Sequence, residues 1–166
     1  MERLESNTCY RWALKEPNIM PSTHTNLHYH FVFSTKDRIR LIRPEWKERL
    51  HAYMGGIMKN LDCVPLAVGG TSDHVHLLVG LKPTHRIDYI IRDIKADSSV
   101  LVKTEFENKF TWQKGYGAFT VSPTGVDAVR RYVLNQEDHH NRKTFQEEYV
   151  ELLNMSKTPY DEKYLW

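Results

Sequence analysis

At 166 residues the chain suits one domain with a proper core and is short for two. Its 40% apolar and 27% charged content excludes wholesale disorder, and no apolar run approaches the ~18 residues of a membrane span. Twenty-three basic residues nearly cancel 21 acidic ones, so the net charge of +2 selects no partner, and Cys9 and Cys63 are too few for a disulfide framework or a zinc ribbon.

Residues 1–22 show no period, carry Pro17 and Pro21, and contain a second methionine, Met20. They read as a loosely held leader without the apolar stretch of a secretory signal, ahead of a single domain over 23–166. LHYHFVFST, Leu27 to Thr35, alternates and is rich in aromatic and β-branched residues, which predicts a strand. Lys36, Arg38, Arg40 and Arg43 follow, opposed only by Asp37. Such a cluster is ordinarily a solvated loop, and its functional alternative is contact with phosphates.

Pro44 suits a first helical turn, and Trp46, Leu50, Tyr53, Met54, Ile57, Met58 and Leu61 then fall at helical spacing. Gly55-Gly56 weakens that helix locally without moving its apolar face. Cys63 to Gly70 predicts a short strand in which Pro65 points to an edge or a strand start. GGTSD makes a turn, and HVHLLVGL from His74 completes a hairpin. A second helix is expected from Arg86 to about Phe106, with Ile87, Ile90, Ile91, Ile94, Val100 and Leu101 inward. Gly117 to Ser122 is the last strand, broken by Pro123-Thr124-Gly125. A third helix over Val126 to His140 carries Val129, Val133 and Leu134, and a fourth runs from Thr144 to about Met155. The β-α-β-β-α-β order predicts an α+β, ferredoxin-like antiparallel sheet with two helices on one face, followed by C-terminal helices. That fold hosts many functions and selects none.

Strand periodicity places His74 and His76 on one face and Val75, Leu77 and Val79 on the other. Two imidazoles one pleat apart can bind one metal ion. The pair alone is weak evidence, because His28-Tyr29-His30 repeats the spacing in the first strand and either histidine could be a hydrogen-bonded core side chain. Two donors also leave a metal shell incomplete. On the third helix, Tyr132 and Gln136 are four apart and share a face. The ordinary reading is a packing tyrosine and a solvated glutamine. The chemical reading is an amide that completes a metal shell and a phenol that attacks the electrophile the metal polarises.

GGTSDHVHLL, WQKGYGAFTVS and RRYVLNQEDHH, in that order and spacing, resemble the single-tyrosine transposases, of the transposase A type, encoded by small bacterial insertion sequences. These are HUH (His-hydrophobic-His) endonucleases, and the resemblance covers about Thr25 to the C-terminus. It implies that His74 and His76 are metal ligands, Gln136 the third ligand and Tyr132, on a C-terminal helix, the nucleophile; His28 and His30 are left structural. It further implies Mg²⁺ or Mn²⁺ as cofactor and single-stranded DNA near a hairpin as substrate. A 5′-phosphotyrosine intermediate precedes strand transfer in this scheme. The resemblance also implies a homodimer, the tyrosine helix of one chain completing the histidine site of the other, while Cys9 and Cys63, read as free thiols, point to a reducing cytoplasm. Lys36, Arg38, Arg40 and Arg43, with Arg86, Arg92 and Lys95, then become candidate contacts to the DNA backbone. Asp73 either orients an imidazole or simply leads its strand. Two other readings remain. One is a non-mobile relative that cleaves hairpin repeats with the same residues. The other is a non-catalytic single-stranded nucleic-acid-binding module, against which the intact set of four argues.

Overall fold

A computed structural model describes residues 24–137 and 143–165; the leader expected over 1–22 lies outside them. Four strands, β1 (Leu27–Ser34), β2 (Val64–Gly70), β3 (His74–Leu81) and β4 (Gly117–Val121), form one sheet in the order β2-β3-β1-β4. Every pairing is antiparallel. Helix α1 (Pro44–Asn60) links β1 to β2, and α2 (Ile87–Glu105) links β3 to β4. Helices α3 (Val126–Leu134) and α4 (Phe145–Met155) follow the sheet. This is the ferredoxin-like arrangement expected from the element order, with Tyr132 carried on α3.

The period of two in the central strands divides the molecule into two interiors. Phe31 and Phe33 of β1, with Val75, Leu77 and Val79 of β3, face α1 and α2, where Trp46, Leu50, Met54, Met58, Ile90, Ile91, Ile94 and Val102 complete the main core. Each large side chain so buried contributes about 1.5–3 kcal/mol of transfer free energy. On the opposite face, Val32 pairs across the sheet with His76 and Ser34 with His74, so these side chains project together. That face is covered by the C-terminal helices. Phe145 and Leu153 of α4 pack on Val32 and Phe119, and Val133 of α3 packs on Ala67 and Leu78.

Three details differ from the sequence expectation. Val100 of α2 is exposed and Val102 is buried, because the stripe running through Ile87, Ile91 and Ile94 continues through Ser98 to Val102 at helical spacing. Leu134 and Tyr53 likewise point outward. Helix α3 (Val126–Leu134) is interrupted at Asn135, which is out of helical geometry (φ −102°, ψ 28°), where the sequence predicts one helix running to His140; helix resumes at 136–137, and positions 138–140 lie outside the described residues.

Candidate metal centre and tyrosine site

The sheet face beneath α3 and α4 gathers an unusual amount of buried polarity. His74 and His76 are both 0% exposed, Gln136 and Glu148 both 1%. Buried polar groups cost several kcal/mol unless they are hydrogen-bonded, so their partners define the site.

Each imidazole is held from behind through Nδ1. His74 opens β3 directly after the β2–β3 turn, and that turn supplies Asp73, whose Oδ1 lies 2.6 Å from His74 Nδ1. Thr71 Oγ1 steadies the pair, 2.9 Å from Asp73 Oδ1 and 3.0 Å from the same ring nitrogen. His76 Nδ1 lies 2.8 Å from Nε2 of His30 on the neighbouring strand. Both Nε2 atoms consequently face α4, where Glu148 Oε2 sits 3.6 Å from His74 Nε2 and 3.5 Å from His76 Nε2.

Glu148 is the meeting point. Its Oε1 accepts hydrogen bonds from the Tyr132 hydroxyl and from Gln136 Nε2, the latter at 3.1 Å. The Tyr132 ring stands edge-on to His76 (centroids 5.7 Å apart, 90°) and to His30 (5.9 Å, 88°), while Phe145 stacks on His74 at 4.4 Å. Helix α4 presents Glu148 here because a capping box fixes its start: Glu147 N–H donates to Thr144 Oγ1, and Thr144 N–H to the Glu147 carboxylate. Helix α3 is fixed by close approach. A Cβ on Gly69 of β2 would lie 1.8 Å from the Val133 carbonyl oxygen, so only glycine lets that helix backbone rest on the sheet.

Burial, reinforced by Glu151 and Asp73, pushes the Glu148 carboxyl up to about 8, and burial pushes His30 down to about 4. The donor set fits a divalent cation. One nitrogen from each of His74 and His76 and a Glu148 oxygen lie within 4.8 Å of one another. Ligands of a single small ion at ~2.1 Å stand roughly 3–3.5 Å apart, close to the 3.6 and 3.5 Å that separate the two imidazoles from Glu148 Oε2. Gln136 Oε1, buried with no hydrogen-bond partner among the described residues, offers a further lone pair beside the carboxylate.

Tyr132, His74, His76 and Gln136 are therefore all brought together, and within one chain. Gln136 reaches the cluster from just past the end of α3, with Nε2 3.4 Å from the Tyr132 carbonyl oxygen. His28 pairs with Gly80 near the other end of β3, away from the cluster. His30, read as merely structural, touches the site directly. Glu148 was not foreseen at all. Its only signal is its place three residues after Phe145 and five before Leu153, inside the apolar stripe of α4.

The candidate DNA contacts divide by location. Lys36, Arg38, Arg40 and Arg43 lie in the connection from β1 to α1, which is tied to the β2–β3 turn by the Ile42 N–H to Ser72 carbonyl bond (2.9 Å), at the His74 end of the sheet. Arg86, Arg92 and Lys95 belong to the α2 side. Arg86 and Arg92 stand over Tyr89, 4.2 and 4.4 Å from its ring centroid, and pair with Asp88 and Asp93. The Lys95 ammonium is turned inward to the carbonyl oxygens of Gln113 and Gly115.

Among curated proteins, no sequence matches the chain. Among solved structures, a protein described as a transposase from Deinococcus radiodurans R1 is 24% identical, with a TM-score of 0.58 over 69% of this chain and 94% of that one. A REP-associated tyrosine transposase bound to a REP hairpin is 13% identical, with a TM-score of 0.50 over 68% of this chain and 66% of that one. Both likenesses are of fold. Residues 23–136, which span β1 through Gln136, match the IS200-like transposase family, and the chain belongs to that family.

Proposed function

We propose that the chain is a metal-assisted endonuclease and strand transferase acting on single-stranded DNA, with Tyr132 as nucleophile. The observation that carries this reading is the Tyr132 phenol lying against His74, His76, Gln136 and Glu148 in one buried cluster. His74, His76 and Gln136 would hold Mg²⁺ or Mn²⁺, with Glu148 as an additional ligand. Bound there, the ion supplies Lewis-acid stabilisation of the charge that develops on the scissile phosphate.

The chain's own residues do the rest. Tyr132 Oη forms a bond to phosphorus as the bond to the 3′-oxygen breaks. The 3′ end leaves as a hydroxyl, carrying in net terms the phenolic proton, and the 5′ end stays on the protein as a phosphotyrosine. That ester conserves the phosphodiester's free energy, so a DNA 3′-hydroxyl can reverse the step without a nucleoside triphosphate. Asp73 and Thr71 keep the His74 ring turned toward the cluster. Lys36, Arg38, Arg40 and Arg43 are positioned at the site's end of the sheet to contact the DNA backbone. Arg86 and Arg92, with Tyr89, form a second basic and aromatic patch suited to an unpaired strand. A hairpin-containing substrate is favoured by the family and by the hairpin carried by the second structural neighbour. A homodimer, in the cytoplasm, remains the expected assembly, but a second copy is not needed to supply the tyrosine.

The test is a covalent-adduct assay with an oligonucleotide labelled at its 3′ end, run single- and double-stranded in Mn²⁺ and Mg²⁺. The single strand is expected to become attached to the protein. Tyr132→Phe should keep DNA binding and lose the adduct; an adduct that persists in the phenylalanine variant removes Tyr132 from the role.

A further inference from the structure

The two histidines of β3 receive different support. His74 Nδ1 faces the Asp73 carboxylate, a pure acceptor, so its Nδ1 carries the proton and its Nε2 presents a lone pair. His76 Nδ1 faces another imidazole, Nε2 of His30, at 2.8 Å. A pair of neutral imidazoles can share that one proton in either sense. If His30 donates, the His76 tautomer is the wrong one, with a hydrogen on the Nε2 atom that looks toward Glu148.

We infer that His30 is a positioning residue for the metal centre: it accepts the Nδ1 proton of His76 through its own Nε2, and so sets the tautomer that leaves His76 Nε2 free to coordinate. This rests on the metal-site reading above and adds to it a third histidine that touches neither metal nor DNA. Three observations converge on it. His30 is 3% exposed, so water does not compete for the bond. Its ring lies nearly parallel to that of His76 (centroids 5.1 Å apart, 21°), and Tyr132 (88°) and Phe119 (49°) crowd its sides. It reaches His76 from β1, where position 30 projects to the same face as Val32, the cross-strand partner of His76. The bond is therefore built by the sheet register rather than by a mobile loop. A ligand imidazole typically donates its second N–H to an outer partner, and loss of that partner costs ~10–100-fold in metal affinity.

The experiment uses the full chain and Mn²⁺ alone, without DNA. Two-bond ¹H–¹⁵N spectra of the metal-free wild type should show His76 protonated at Nδ1 and bare at Nε2. Titration should then show His30→Leu binding Mn²⁺ about 10–100-fold more weakly than wild type. His30→Gln, whose amide oxygen can accept the same proton, should recover most of that loss. A core-filling histidine would not give this split, since leucine fills a core better than glutamine does. The inference is overturned if wild-type His76 carries its proton on Nε2, or if the leucine variant binds Mn²⁺ as tightly as wild type. Should His30→Leu fail to fold, the wild-type spectrum still decides the tautomer. Should the wild type bind no Mn²⁺, the metal reading fails while the spectrum separately judges the proton's position.

Discussion

Removing the His76 imidazole would empty a fully buried site and strip His30 of its partner. His76→Ala is expected to cost about 1–3 kcal/mol in a denaturant titration, from the orphaned polar group and the cavity together. It is also expected to abolish the Mn²⁺-dependent adduct. A loss of stability therefore does not separate a ligand histidine from a core histidine here, and metal affinity has to be measured beside it. Legibility was uneven at this scale. The alternation of His74 and His76 with Val75, Leu77 and Val79 announced the two faces directly. Glu148 could not announce itself, because Glu147 and Glu151 beside it are also acidic and local sequence does not say which carboxylate tertiary packing will bury. His30 reads as structural because it matches no catalytic motif of the family the chain resembles, whereas its contact with the site comes from a pairing with His76, 46 residues away in sequence.

Helices and strands were easier to read than their ends. Hydrophobic period, with proline and turn signals between the segments, placed the sheet and helices α1 to α4, since a stripe averages over many residues. The interruption of α3 at Asn135 is one residue long, too short for a hydrophobic stripe to mark. Two glycine substitutions separate close approach from mere helix weakening. Gly69→Ala should destabilise by about 1–3 kcal/mol, because its Cβ would press into the Val133 carbonyl of α3. It should also suppress the adduct by shifting Tyr132. Gly55→Ala, with no atom within 4 Å of its added carbon, should instead stabilise by about 0.5–1 kcal/mol through helix propensity. Chemical denaturation of the two variants beside wild type reads both signs.

For the molecule as a whole, acidification is expected to be costly. Burial, aided by the Lys47 cation, holds His51 down near about 4, below its ordinary value of 6.5. Between those limits the unfolded chain binds the proton more readily than the folded one. The contribution is therefore present above pH 6.5 and lost as pH falls toward 4. His30, held down to about 4, adds to this loss, whereas Glu148, held up to about 8, works against it because its folded form binds the proton more readily. With two histidines against one carboxyl, the thermal midpoint should still decline over that interval, and His51→Gln should make the decline shallower. Assembly makes a second whole-molecule prediction. With the phenol and both imidazoles supplied by one chain, mixing Tyr132→Phe with His76→Ala should restore no adduct, and yield per chain should not depend on protein concentration. Recovery in the mixture would show exchange of α3 between copies.

The covering helix has a further consequence. If the buried cluster is the reaction centre proposed above, its cover by Phe145, Glu148 and Leu153 makes it latent: freely diffusing histidine-directed reagents should label the exposed His24 and leave His74 and His76 untouched while α4 is in place. Under the proposed function, a DNA strand reaches Tyr132 and the two imidazoles only where α4 moves aside.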